Sequence, residues 1–240
     1  MNHLPLYVPA VFVAVTFLTI YFFYKASKGN TRLLMLIAAW MTIQSAVAAT
    51  GFFEVENSLP PRFVLLIAIP LIAILVTLSR TKARSFVEGF DIRTLTLLHS
   101  VRIAIEMVLF WLFLSKAVPQ LMTFEGRNFD IISGLTAPLI YYFGFVKGKM
   151  GTKSMLAWNV VCLAILLFTV GNAILSAPTP LQRFAYDQPT IAVLYFPFVW
   201  LPGVVVPIVV FSHLVTIRLL VNQMKEKNVA TSSLCSKQVA

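Results

Sequence analysis

Seven apolar stretches alternate with short polar segments along the chain, at 7–24, 33–53, 63–79, 94–115, 131–146, 155–176 and 191–219. A hydrocarbon layer about 30 Å thick needs roughly 17–25 mostly apolar residues in a helix, and each stretch is close to that length. Lipid offers no partner to unpaired backbone groups, so the stretches are expected to be helices. The ten-residue alternating segments of a membrane β-barrel do not occur. The pattern predicts an all-α, polytopic integral membrane protein: a seven-transmembrane-helix bundle over 1–221, followed by a mobile polar tail at 222–240. The first stretch does not read as a cleaved leader, because no basic segment precedes it and Lys25 and Lys28 follow it.

The basic residues orient this bundle. Lys25, Lys28, Arg32, Arg80, Lys82, Arg84, Arg93, Lys147, Lys149, Lys153, Arg218, Lys225, Lys227 and Lys237 occupy one set of alternate loops, fourteen in all. Only Arg62, Lys116, Arg127 and Arg183 occupy the other. This bias puts the larger set in the cytoplasm, with the N-terminus outside and the C-terminus inside. Glu54, Glu56, Glu125, Asp130 and Asp187 fall on the outer side, in keeping with that orientation. Composition agrees with a lipid environment: 59% of the 240 residues are hydrophobic, 12% are charged and the mean hydropathy is +0.86. Soluble domains are about 25% charged. The net charge of +10 comes from short clusters between apolar runs and not from a continuous basic face, so nucleic acid is not an expected partner. Cys162 and Cys235 lie in different environments and are not expected to pair. No Asn-x-Ser/Thr sequon occurs, which points towards a bacterial cytoplasmic (inner) membrane.

Polar residues inside the apolar stretches are the candidate chemistry. In the fourth stretch His99, Arg102 and Glu106 follow spacings of three and four, which places them on one helical face. Glu106 lies about 18 Å along the span from Thr94, near mid-membrane. Arg102 can extend towards the interface, but a glutamate there must be protonated, paired with Arg102 or turned to a polar cavity. Ser212 and His213 in the seventh stretch are level with His99, Gln44 in the second is level with Glu106, and Asn159 in the sixth is level with the histidines. Gln44, His99, Arg102, Glu106 and His213 thus form an expected polar cluster reached from the cytoplasm. An Arg102–Glu106 pair that only locks helix packing explains the same residues.

The outer loops before the fifth and seventh stretches resemble each other, each reading Arg, aromatic, Asp. Glu125, Arg127, Asp130, Arg183 and Asp187 are therefore a candidate outer mouth for a ligand. The competing reading makes Asp130 and Asp187 helix N-caps, with the aromatic residues at the membrane interface. Prolines fall only in the odd-numbered stretches, as Pro9, Pro70, Pro138, Pro197, Pro202 and Pro207, where kinks would free backbone carbonyls.

Several activities are excluded on residues. A retinal protein needs a lysine in its last span, and 191–219 has none. Neither an Asp-Arg-Tyr nor an Asn-Pro-x-x-Tyr receptor signature is present, and the one Pro-Gln pair, Pro119–Gln120, follows the fourth stretch. Membrane hydrolases that use several paired histidines have too few here, and no GxGxxG, P-loop, GxSxG or HExxH occurs. No enzymatic role is expected. The leading expectation is small-solute or ion transport through a polar intramembrane cavity, with proton coupling. One alternative is a membrane redox protein holding one haem between His99 and His213. Another is a noncatalytic sensor or assembly component. Lipid is the expected surrounding, a small solute or ion the expected ligand, and the oligomeric state stays open.

Overall fold

The computed structural model describes residues 4–55, 58, 61–80 and 83–238, without the side chains of 83 and of 227 onwards. Glu56 and Lys82, counted above, lie outside the described residues, as do the side chains of Lys227 and Lys237. Nine helices make up the described chain: α1 Tyr7–Ala26, α2 Thr31–Ala49, α3 Val64–Ser79, α4 Ala83–Glu88, α5 Ile92–Leu98, α6 Val101–Leu114, α7 Asp130–Tyr141, α8 Thr152–Ser176 and α9 Val206–Gln238. No strand occurs among the described residues.

Five helical spans are long and apolar enough to cross a membrane: α1, α2, α5 with α6, α8, and Leu201–Glu226. Two further apolar helices, Val64–Ser79 and Asp130–Val146, are shorter. Their outward faces are greasy, with Leu36, Ile43, Leu75, Leu135, Leu139 and Val161 all exposed, while polar residues are turned inward. That inversion suits a hydrocarbon surround, where an apolar side chain gains nothing by hiding and a polar one must find a partner.

The first and last spans run opposite to the fourth, and the third runs in the same direction as the last. Asp91 N donates to Ala26 O at 2.9 Å, which joins the end of α1 to the start of α5. At the other end Tyr7 meets Trp111 edge-on at 5.1 Å, and Ile191 N donates to Ala117 O at 3.1 Å. Arg218 Nη1 donates to Leu78 O at 2.8 Å, which places the middle of α9 beside the end of α3. The core helix is α9, where almost every side chain from Pro207 to Thr216 is buried, and it packs chiefly on α8, α5 and α3.

The structure departs from the expected boundaries at three places, each for a local reason. The fourth stretch is two helices, because the chain tightens through His99 and Ser100: Arg102 N and Ile103 N bond the carbonyls three residues back. Asp91 starts α5 by accepting from Arg93 N at 3.3 Å and Thr94 N at 3.1 Å. The seventh stretch does not begin as a helix at 191. Residues 191–200 carry a 3₁₀ turn at Ala192–Leu194 and a further turn at 196–199, and the helix starts with a π segment at Leu201–Val205. Hydropathy cannot tell a buried irregular segment from a helix, and here Ala192, Val193, Leu194, Phe198, Val199 and Trp200 are all buried in protein. Finally, the helix does not stop at 219. Its backbone continues to Gln238, through the segment expected to be a separate tail.

Candidate functional site: a buried polar cluster

The loop between α6 and α7 builds the site. After Lys116 the chain turns back into the bundle through a single 3₁₀ turn at Gln120–Met122, and α7 starts about level with Glu106, roughly 12 Å short of the end of α6. Such a re-entrant segment is tolerated at depth only where its backbone finds partners inside the protein. Gly126 N and Asn128 N both donate to Thr123 O, at 2.9 and 3.3 Å, and Arg127 N donates to Leu121 O at 3.1 Å. The close crossing of α7 on α6 rests on Gly134, where a Cβ would lie 2.9 Å from Ile103 N.

Asn128 ties this loop to the helices. Its Nδ2 donates to Glu106 Oε1 at 2.6 Å and to Met122 O at 3.0 Å. Its Oδ1 accepts from Asp130 N at 3.0 Å and from Thr169 Oγ1 of α8 at 3.0 Å. All four hydrogen-bonding sites of the amide are thereby used. Glu106 is only 1% exposed, and its second oxygen, Oε2, has no protein partner.

Arg102 pairs with Asp130 through Nη2 and Oδ1, and the two are 3% and 7% exposed. This corrects two expectations: the partner of Arg102 is not Glu106, and Asp130 is neither an outer-mouth residue nor an N-cap. It occupies the first position of α7, inside the protein, where a carboxylate also complements the helix dipole. The second Arg102 nitrogen, Nη1, lies 3.4 Å from His213 Nε2. On the far side of that ring His213 Nδ1 lies 3.0 Å from Asn159 Oδ1, and Asn159 Nδ2 donates to Met155 O at 3.0 Å. The Met155 bond fixes the amide with its oxygen towards the ring. His213 therefore carries its proton on Nδ1 and accepts from Arg102 at Nε2.

His99 stacks on His213, with ring centres 3.8 Å apart and planes 13° apart, and Trp158 packs against both. Neither His99 nitrogen has a protein partner. A haem held by both histidines needs a nitrogen from each aimed at one iron from opposite faces. Rings stacked face to face at 3.8 Å leave no room for a porphyrin between them, so the pair does not fit that group. No third His, Cys, Asp or Glu joins them among the described residues.

A cavity of about 80 Å³ opens beside this cluster. Arg102, Glu106, Asn128, Asp130, Thr169 and Thr190 line one side, and apolar residues of α3, α8 and the start of the last span line the rest. It extends towards Phe63, Ile174 and Thr190, at the end expected to lie outside. The cluster was expected to open to the cytoplasm, but the cavity lies at the opposite end. Its size admits a few waters or a small ion, well below the roughly 300–1,000 Å³ of pockets for larger ligands.

Of the five residues expected to cluster, His99, Arg102, Glu106 and His213 share one connected region. Gln44 does not. It is buried between α2 and the π segment, with both amide atoms unpartnered, and a Cβ on Gly203 would overlap it. Of the outer-mouth residues, Glu125, Arg127, Arg183 and Asp187 are exposed. The two loops do meet, since the Arg127 guanidinium lies 5.7 Å over the Phe184 ring. Asp187 caps no helix, because irregular chain follows it up to Leu201. Asn128 and Thr169 were not anticipated: a loop asparagine and a helical threonine carry no signal until the loop is known to re-enter.

Residues 58–221, about two thirds of the chain, match a family described as "Domain of unknown function (DUF8737)". The chain belongs to this family. The matched residues hold the entire connected cluster, from His99 to His213, and leave out α1, α2 and Gln44. No curated protein and no solved structure matches the chain.

Proposed function

We propose that this DUF8737 protein moves a small ion or solute across a membrane in exchange for a proton carried by Glu106. One observation carries the reading: a buried carboxyl with an unpartnered oxygen faces a cavity of water-sized dimensions. The neighbouring charges support it. Arg102 and Asp130 satisfy each other, so Glu106 is the one cavity-lining carboxyl without a cationic partner among the described residues. Ionisable groups within a membrane mark ion and proton pathways more often than they serve packing. The stacked His99–His213 pair and Asn159 extend the polar line from Arg102 towards the opposite end of the bundle, as a proton route requires.

The same proposal takes Val64–Ser79 and Asp130–Val146 as membrane helices, which gives seven spans. The distribution of lysine and arginine then sets the N-terminus outside and the C-terminus in the cytoplasm, in a bacterial inner membrane. Fusions of a periplasm-active and a cytoplasm-active reporter at each end test the topology, and equal signals from both ends would overturn it.

The transport reading is tested in proteoliposomes containing a pH-sensitive dye, with sodium, potassium and chloride gradients imposed in turn. Wild type should change the internal pH under at least one gradient, and Glu106→Gln should abolish that change while keeping its elution profile. No gradient-dependent pH change in wild type, or an unaltered change in Glu106→Gln, refutes the role given to Glu106.

A further inference from the structure

A second cavity lies on the other side of the π segment. Both α2 and α3 pack on Leu201–Val205 yet scarcely touch one another, and the gap between them is a lateral groove of about 320 Å³. Its walls are Leu33, Leu36, Ile37 and Trp40 of α2, Ile69 to Thr77 of α3, and Gly203 to Phe211 of the last span, floored by Phe23 and Phe86. Polar atoms are almost absent from it. Trp40 turns its one N–H away, donating to Gly203 O at 2.9 Å, so the indole shows the groove its apolar ring. By helix rise the groove extends about 10–12 Å along α2 and α3, close to one leaflet's depth of hydrocarbon. A methylene occupies about the volume of a water, roughly 30 Å³, so the groove accepts about ten carbons of one extended chain.

The end of the groove nearest Leu33 and Thr77 is basic. Arg32 precedes Leu33, and Arg80 follows Thr77 by three. Both are exposed, and neither has an ion-pair partner among the described residues. Arg84, by contrast, is paired with Glu88 at 2.8 Å. An apolar slot one leaflet deep with an uncompensated cationic rim has the chemistry of an anionic glycerophospholipid: acyl chain in the slot, phosphate at the rim. We propose that the groove between α2 and α3 is a binding site for one anionic phospholipid, held by Arg32 and Arg80. This site is separate from the Glu106 cavity and stands whether or not that cavity transports anything.

The test is native mass spectrometry of the full chain, stripped of lipid in mild detergent and titrated with phosphatidylglycerol or phosphatidylcholine of identical chains. One phosphatidylglycerol should bind saturably, and more tightly than phosphatidylcholine. Arg32→Gln and Arg80→Gln should each weaken phosphatidylglycerol by about fivefold, as expected for one basic residue at an anionic headgroup. These side chains are exposed, so the fold should survive, and circular dichroism and elution volume serve as the control. Ala73→Phe fills the slot from an exposed position and should weaken both lipids. Equal binding of the two lipids overturns the proposal, as does an adduct indifferent to Ala73→Phe. So does a second copy of the chain held in the groove in place of lipid.

Discussion

Asp130→Asn is the most informative single change, because it removes one charge and almost no volume from a buried ion pair. Arg102 would keep its charge, 3% exposed, with a neutral amide in place of the carboxylate, the 3.4 Å contact to His213 Nε2 and an Nε that already lacks a partner. Leaving a buried charge uncompensated costs about 3–5 kcal/mol. For a chain of this size about 1 kcal/mol moves the unfolding midpoint by about 2–4 °C, so a fall of about 6–20 °C is expected. Arg102→Met should cost less than Asp130→Asn, since the carboxyl left behind can neutralise itself by taking up a proton, whereas a guanidinium cannot lose one. Replacing both partners together, as Arg102→Met with Asp130→Leu, removes the charges and keeps the volume, and should return most of the loss. The assay is thermal unfolding in detergent at one scan rate, comparing the two single variants with the double. If Asp130→Asn melts within about 2 °C of wild type, or if the double variant is worse than either single, the pair does not carry the packing of α7 on α6.

Three other changes test neighbouring parts of the argument. Asn128→Ala leaves Glu106, Met122 O, Asp130 N and Thr169 each short of a bond and should destabilise by about 2–4 kcal/mol; proteolysis within 120–129 should rise, and an unchanged cleavage rate would show that the loop is held by other means. Gly203→Ala drives a methyl group into Gln44 and should lower the melting point, while Gln44→Ala in the same chain should restore it; failure of the rescue would remove the steric explanation. Asn159→Leu deprives the His213 Nδ1 proton of its acceptor while Arg102 still donates to Nε2, so histidine NMR should keep the proton on Nδ1 with a shifted resonance, whereas a wild-type spectrum with the proton on Nε2 contradicts the tautomer assigned above.

The sequence made the helices legible because lipid permits little else: long apolar runs and the lysine–arginine imbalance are direct consequences of the solvent. It also exposed four of the cluster residues, since His99, Arg102, Glu106 and His213 are conspicuous in hydrophobic surroundings. It hid the partners. Spacing along one helix suggested Arg102 with Glu106, but the 28-residue separation to Asp130 is bridged only because the chain re-enters the bundle, and no periodicity records that. Gln44 shows the converse error: equal depth on two helices says nothing about which way each is rotated. The stretch 191–200 is as apolar as a span and mostly buried by protein, so hydropathy counted it as helix.

The π segment at Leu201–Val205 joins these observations. It divides the two cavities, with Leu201, Pro202 and Val205 facing the polar one and Gly203 and Val204 facing the groove. Pro207 has no N–H to close an α-helical turn on Gly203 O, and the freed carbonyl accepts Trp40 Nε1 instead. Trp200 adds a bond from its Nε1 to Ser45 Oγ at 3.1 Å, so α2 is fastened to this wall at two levels. π segments occur mostly as single turns inside helices and frequently at functional sites. A wall one backbone thick thus separates the groove from the space beside Glu106, tied to α2 by the bonds of Trp40 and Trp200. The residues that shape the polar cavity and those that shape the groove are therefore successive positions of one five-residue segment.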